Sequence, residues 1–253
     1  MWDSPKGIAV DADGDIYVVQ SGSNAITRTT TAGATSYFTA GGYLQSIEDI
    51  VYYPTGDVWF VTTQTYDAIL RITSTGTQQL YATNISNPAG ITLFTNSGGN
   101  ERLVVTDDGN NRIAFYNPAS AALSGSVGTE DFGGTVSSPY GVAAVNSSGT
   151  NLYYATDRNN DELWRTNTTT DIRLSQSLNT PRDVVRGTSG DLVVADSGSG
   201  TVLLVDDCGS TNCSVTTLAV GPWEPWGLAF ESSTELLVTD RSGNALYRIT
   251  GSF

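Results

Sequence analysis

The sequence predicts an all-β protein, a single six-bladed β-propeller of four-stranded antiparallel blades covering residues 1–253. Three observations predict it. A unit of short apolar runs separated by Gly, Ser and Asn turns occurs six times, which is strand-and-hairpin patterning. Its starts, Pro5, Ile47, Pro88, Pro139, Pro181 and Pro225, lie 42, 41, 51, 42 and 44 residues apart, the period of a propeller blade. No segment sustains a helical period, and Gly is abundant at 27 residues.

The last unit shows the design most clearly. Pro225-Trp226-Gly227 opens a strand that Leu228–Phe230 continues; Glu235–Thr239 returns, Asp240–Asn244 turns, and Ala245–Ile249 is a third strand. The same order runs through the chain. Unit one is Pro5–Val10, the turn DADGD and Ile16–Gln20, and unit two is Ile47–Ile50, Val58–Thr62 and Ala68–Leu70. Units three, four and five open at Pro88, Pro139 and Pro181 and return through RLVVTD, LYYATD and DLVVAD. The blades are therefore expected near 5–46, 47–87, 88–138, 139–180, 181–224 and 225–253.

Gly7, Gly90, Gly141 and Gly227 open the innermost strands, where blades crowd the axis and backbone meets backbone. Asp107, Asp157, Asp196 and Asp240 end second strands before Gly, Asn or Ser turns, and are expected to accept turn amides. The DADGD run lacks the later bidentate acid of a calcium loop and reads as hairpin chemistry.

Two units are irregular. The third interval is longer, and its segment Gly128–Ser138, with Glu130, Asp131 and Phe132, is expected as a loop on the Pro-x-Gly face. The sixth unit stops after three strands, so its outer strand is expected to be missing or supplied by other sequence.

Net charge of −14, with Lys6 the single lysine beside eleven arginines, excludes a phosphate-binding surface for nucleic acid. No apolar run approaches the roughly 18 residues of a membrane span. The acidity points to a neutral or cationic partner. Cys208 and Cys213 flank a polar turn that a hairpin can close into a disulfide, which points to an oxidising, extracytoplasmic compartment. The alternative is two free thiols in a cytosolic protein. A monomer, or one part of a longer chain, is expected.

Strand direction puts the Pro-x-Gly starts and the second-to-third turns on one face, around the mouth of the central channel. The residues after each start form a ring of Lys6, Glu48, Ala89, Tyr140, Arg182 and Trp226. The next ring is Gly7, Asp49, Gly90, Gly141, Asp183 and Gly227, with Asp49 and Asp183 opposed across the channel. Asp49, Asp183 and Glu48 are the candidate ligands for a divalent cation such as calcium, which takes carboxylate oxygens. The bland reading has the two aspartates bonding nearby amides in a wet channel, with Arg182 compensating their charge. Trp223, Trp226 and Tyr140 put aromatic faces near the mouth, suited to peptide or sugar contact, with at least one of the two tryptophans expected to pack between blades instead.

These units resemble the NHL repeat, whose pattern is Pro-x-Gly-Ile-Ala-Val, then Gly-x-Leu-Tyr-Val-Thr-Asp, then x-x-Asn-x-Arg-Ile. Units one, three, four and six match well, and two and five more loosely. The resemblance implies the propeller and little about function, because such repeats carry enzymes and scaffolds alike. Amidating lyases and streptogramin lyases look similar in repeat but rely on histidine, and this chain has none. Gluconolactonase-like propellers hold a divalent ion with Glu, Asn and Asp. The expected function is extracytoplasmic recognition of a peptide, glycan or protein through Lys6, Glu48, Asp49, Tyr140, Arg182, Asp183 and Trp226. A metal-dependent hydrolase or lactonase using Glu48, Asp49 and Asp183, and a purely structural module, are the alternatives.

Overall fold

Apolar runs bounded by turn residues become strands. The computed structural model describes residues 2–120, 128–131, 136–167, 169–207, 209–211, 213–221 and 223–253, with Glu130 and Asp131 described by backbone alone. Among the described residues 23 strands form six sheets. Blade one is β1 (Pro5–Val10), β2 (Ile16–Gln20), β3 (Ala25–Thr29) and β4 (Thr35–Ala40). Blade two is β5 (Ile47–Tyr53), β6 (Val58–Thr63), β7 (Ala68–Thr73) and β8 (Gln78–Ala82). Blade three is β9 (Pro88–Thr95), β10 (Glu101–Asp107), β11 (Arg112–Tyr116) and β12 (Gly128–Asp131). Blade four is β13 (Pro139–Ser147), β14 (Thr150–Asp157), β15 (Glu162–Thr166) and β16 (Asp171–Ser175). Blade five is β17 (Pro181–Arg186), β18 (Leu192–Asp196), β19 (Thr201–Val205) and β20 (Val215–Val220). Blade six has three strands, β21 (Pro225–Ser232), β22 (Glu235–Asp240) and β23 (Ala245–Thr250).

Every blade is an antiparallel meander whose first strand lies innermost, and the first strands touch in sequence around the axis, β21 meeting β1 to close the ring. The sheets are covered on both faces because each blade packs on its neighbours. Tyr17 of blade one lies 4.5 Å from Trp59 of blade two, and Phe94 of blade three packs edge-on against Tyr153 of blade four at 5.6 Å. Fully burying such a side chain contributes roughly 1.5–3 kcal/mol.

One expectation is corrected. The segment from Gly128 does not begin as a loop: Gly128–Asp131 is the outer strand of blade three and pairs with β11, Ile113 opposite Glu130. Each of the first five blades has a fourth strand, and here the extra length is spent reaching it. Phe132 lies outside the described residues. The sixth blade, among the described residues, does lack its outer strand, which leaves β23 as a largely exposed edge with Tyr247 at 45% exposure.

The strand-ending aspartates behave as turn ties. Asp107 accepts the Ser86 amide at 2.8 Å, Asp157 that of Ser137 at 2.8 Å, Asp196 that of Asn179 at 2.6 Å and Asp240 that of Glu224 at 2.9 Å. Each bond fixes the entry to its blade's first strand, so the tie also positions the Pro-x-Gly mouth. In the DADGD turn, Asp11 Oδ1 accepts the amides of Asp13 and Asp15, and Asp15 pairs with Arg28.

Candidate functional site at the channel mouth

The two sequence-predicted rings come together. Glu48, Asp49, Ala89, Tyr140, Arg182, Asp183 and Trp226 line one axial cavity with Gly7, Gly90, Gly141 and Gly227, an empty volume of about 220 Å³. Lys6 joins them through Glu48. Close approach forces glycine here: a Cβ on Gly7 would stand 2.4 Å from the Asp49 Cα, and one on Gly141 2.5 Å from the Asp183 Cα.

Glu48 is the most enclosed acid of the mouth, at 4% exposure. Its Oε1 receives Lys6 Nζ at 2.5 Å and its Oε2 the Tyr140 hydroxyl at 2.5 Å. A buried carboxylate paired on both oxygens is the arrangement that keeps a charge tolerable away from water. Burial holds the Lys6 ammonium below its ordinary pKa, against the opposing pull of Glu48. Burial and the Glu48 charge push the Tyr140 phenol well upward, so it stays a hydrogen-bond donor at neutral pH.

Above this triad sits a cation–aromatic layer. The Arg182 guanidinium carbon lies 4.0 Å from the Trp226 ring centre and 4.9 Å from that of Tyr140. Arg241 stands 4.8 Å and Lys6 Nζ 5.0 Å from Trp226, and Arg158 4.8 Å from Tyr140. All fall within the roughly 6 Å reach of cation–π attraction. Tyr140 and Trp226 meet edge to face at 5.9 Å.

Arg158 and Arg241 belong to neither predicted ring, because the rings hold only the first two residues after each start. Both directly follow a strand-ending aspartate, Asp157 and Asp240, at the opening of the second-to-third turn. Their amides donate to Ser138 O and Glu224 O, as the Ser21 and Gln64 amides do to Ser4 O and Ser46 O. The repeat does carry a signal for them, as a further equivalent position occupied by Ser21, Gln64, Asp108, Arg158, Ser197 and Arg241.

Two of the aromatics are less exposed than expected. Tyr140 and Trp226 are buried at 4% and 6% exposure, because cations cover them. Trp223 is the tryptophan that packs between blades as expected, away from the mouth. Its Nε1 donates to Gly200 O at 2.6 Å and its ring packs on Tyr247 at 5.1 Å, in a cleft between blades five and six.

Deeper in the channel, Asp49 and Asp183 line both the mouth cavity and a second cavity opening toward the other face. That second space, about 610 Å³, is walled mainly by aliphatic side chains such as Ile8, Ile50 and Val184. Asp49 accepts the amides of Ile50 at 2.8 Å and Ile91 at 2.9 Å, and Asp183 those of Val184 and Leu228, both at 2.8 Å. The six oxygens of Glu48, Asp49 and Asp183 are thus each accepting a hydrogen bond. Among the described residues no group of three or more His, Cys, Asp or Glu side chains is arranged to hold a metal ion. Arg182 does not compensate the aspartates by an ion pair; it stacks on Trp226 instead. Cys213 is buried at 8% exposure, while Cys208 lies outside the described residues, so the Cys208–Cys213 pairing falls beyond them.

No family model matches the sequence, and a search of curated proteins finds no match. Solved structures do resemble it. A streptogramin B lyase is 17% identical with a TM-score of 0.69, over 100% of this chain and 84% of that one. Virginiamycin B lyase from Staphylococcus aureus, selenomethionine-substituted, is 17% identical with a TM-score of 0.70, over 96% and 79%. A catalytically inactive variant of virginiamycin B lyase from Staphylococcus aureus, with quinupristin, in which alanine replaces a histidine, is 16% identical with a TM-score of 0.71, over 97% and 80%. At this identity the likeness is one of fold.

Proposed function

We propose that this chain is an extracytoplasmic recognition propeller of NHL type that binds a peptide, glycan or protein partner at its Pro-x-Gly mouth. The observation that carries the reading is the mouth itself. Residues from six separate repeat units converge on one small cavity whose polar groups are held by the scaffold, which is how a rigid binding site is preorganised. The likeness to lyases does not extend the reading to their chemistry. One of those structures is inactive with alanine in place of a histidine, and no histidine exists here to play such a part.

A peptide and glycan array, read with the wild-type protein and with Gln64→Trp, tests the proposal. Gln64 stands at the rim position equivalent to Arg158 and Arg241, and a bulky ring there obstructs the cavity without replacing any of its walls. Signals that disappear in the variant support the mouth. Signals unchanged in the variant move binding elsewhere and end the proposal.

The opposition of Asp49 and Asp183 favours a second reading, a divalent-ion hydrolase or lactonase with Glu48 as third ligand. An ion there would have to replace hydrogen bonds already made by all three carboxylates. Ion analysis of the purified protein, with Asp49→Asn and Asp183→Asn beside it, decides. A stoichiometric ion lost in both variants establishes this reading, and no ion in the wild type removes it.

A further inference from the structure

Four of the chain's twelve cations crowd the mouth, in a protein with 26 acids. Three have an acid partner. Lys6 pairs with Glu48 at 2.5 Å, Arg158 with Asp108 at 3.4 Å and Arg241 with Glu224 at 3.0 Å. Arg182 is the exception: among the described residues it has neither hydrogen bond nor ion pair, and its Nε is buried without a partner. It lines the cavity, with its guanidinium over the Trp226 ring and beside that of Tyr140.

In a chain with more than two acids per cation, a half-buried guanidinium with no acid partner is a departure that needs a physical account. Stacking on Trp226 satisfies the faces of the guanidinium but none of its N–H donors, which lie in its plane. Those donors form a fork that matches the two oxygens of a carboxylate.

We propose, on the reading that the mouth is the ligand site, that it takes a single carboxylate group, gripped by Arg182, at the end of an otherwise uncharged molecule. Charge sets the count. Around the cavity's outer layer four cations face the three acids Glu48, Asp108 and Glu224, which leaves one positive charge uncompensated. Asp49 and Asp183 lie below and, where ionised, oppose an anion, and a dianion such as phosphate meets that opposition twice over. The net charge of −14 works against further anionic groups on the ligand. Size sets the rest. The cavity is narrow and open to solvent, with no enclosed room for the body of a ligand. It admits a terminal group, and the body of the molecule stays outside. The acidic composition alone pointed to a neutral or cationic partner, and the mouth reverses that locally.

The test uses propionate, its neutral counterpart propionamide, and inorganic phosphate, titrated at constant ionic strength while the indole N–H resonances are followed by NMR. Propionate is expected to shift the Trp226 resonance saturably, propionamide to leave it in place, and phosphate to bind at least about tenfold more weakly than propionate. Arg182→Gln should abolish the propionate response. Arg182→Lys keeps the charge over Trp226 but not the fork, and should weaken binding at least about tenfold with the other indole resonances unchanged. A purely structural arginine would show no propionate response in the wild type. Equal responses to propionamide, undiminished binding in either variant, or phosphate binding as tightly as propionate overturns the proposal. Array signals that vanish in Gln64→Trp but survive in Arg182→Gln would leave the mouth as the binding site and remove only the carboxylate.

Discussion

Asp49 and Asp183 repeat one another across the channel axis: each carboxylate accepts the amide of its own following residue and the amide of the residue after the next blade's ring glycine, Ile91 or Leu228. Blade two thereby ties to blade three, and blade five to blade six, by the same bridge. Burial outweighs those amides, pushing Asp183 up to about 7 and raising Asp49 well above the ordinary carboxylate range, the latter also through the charge of Asp183.

The pair therefore gives a pH dependence of definite sign. Both groups bind protons more tightly in the folded chain than in the unfolded one, where Asp titrates near about 3.9. Their contribution to stability is complete below that value and is lost as pH rises toward 7. Each tenfold gain in proton affinity on folding is equivalent to about 1.4 kcal/mol. Thermal unfolding should show a lower midpoint at pH 8 than at pH 5, with the difference reduced in Asp183→Asn. The substitution has its own cost, since an amide presents only one acceptor to two N–H groups. That cost is nearly the same at both pH values, so the slope isolates the titration. An unaltered slope in Asp183→Asn would assign the dependence to other groups, of which Asp196, also raised by burial, is the first to try.

The Lys6–Glu48–Tyr140 triad allows a double-mutant test. Glu48→Leu leaves a buried ammonium with no counter-charge and is expected to cost about 3–5 kcal/mol. Lys6→Met with Glu48→Leu should recover much of this loss, because a buried ion pair replaced by apolar groups is often close to neutral. Tyr140→Phe removes one hydrogen bond to a charged acceptor, worth about 1.5–3 kcal/mol. Urea unfolding of these variants beside the wild type gives the coupling directly. A double variant no more stable than Glu48→Leu would place the importance of the site in its packing.

Much of this geometry was legible because a repeated unit turns sequence position into angular position. Pro5, Ile47, Pro88, Pro139, Pro181 and Pro225 each begin an innermost strand, so residues one and two places on had to form rings. Gly7 and Gly141 could be read as close approaches for the same reason. What escaped was set by partners outside the unit. Trp223 and Trp226 are three residues apart with the same chemistry, yet the first packs on Tyr247 of blade six and the second is covered by Arg182 and Arg241. Nothing local separates them. Gly128–Asp131 has weak strand character, and only β11 beside it makes it a strand.

On the extracytoplasmic reading, Cys208 and Cys213 are expected to be joined, and thiol titration of the denatured, unreduced protein should find no free thiol. The loop so closed is short, so the chain-entropy gain lies below the roughly 3 kcal/mol of a 15-residue loop. Reduction should accordingly lower stability only modestly and leave the mouth unaltered, since this turn joins β19 to β20 in the outer part of blade five. Two titratable thiols would withdraw the argument for an oxidising compartment.

Among the described residues, blades six and one meet through packing and hydrogen bonds of β21 and β22 with β1. Blades three and four are joined by the chain, whereas blades six and one are not, and among the described residues no fourth strand of blade six spans that junction. Thr239 is its main polar device. Its hydroxyl donates to Lys6 O at 2.6 Å and accepts the Gly227 amide at 2.8 Å. Thr106 does the same between blades three and four, donating to Tyr140 O and accepting from Gly90 at 2.8 Å. Thr→Val at either position keeps the shape and strands a buried carbonyl and amide, a cost of about 1–3 kcal/mol. Thr239→Val is therefore expected to raise amide exchange along β21 and β1 well beyond the site, while Thr106→Val stays local. Equal and local exchange in both variants would mean that the apolar contacts among Ile8, Val18 and Leu237 suffice to close the ring.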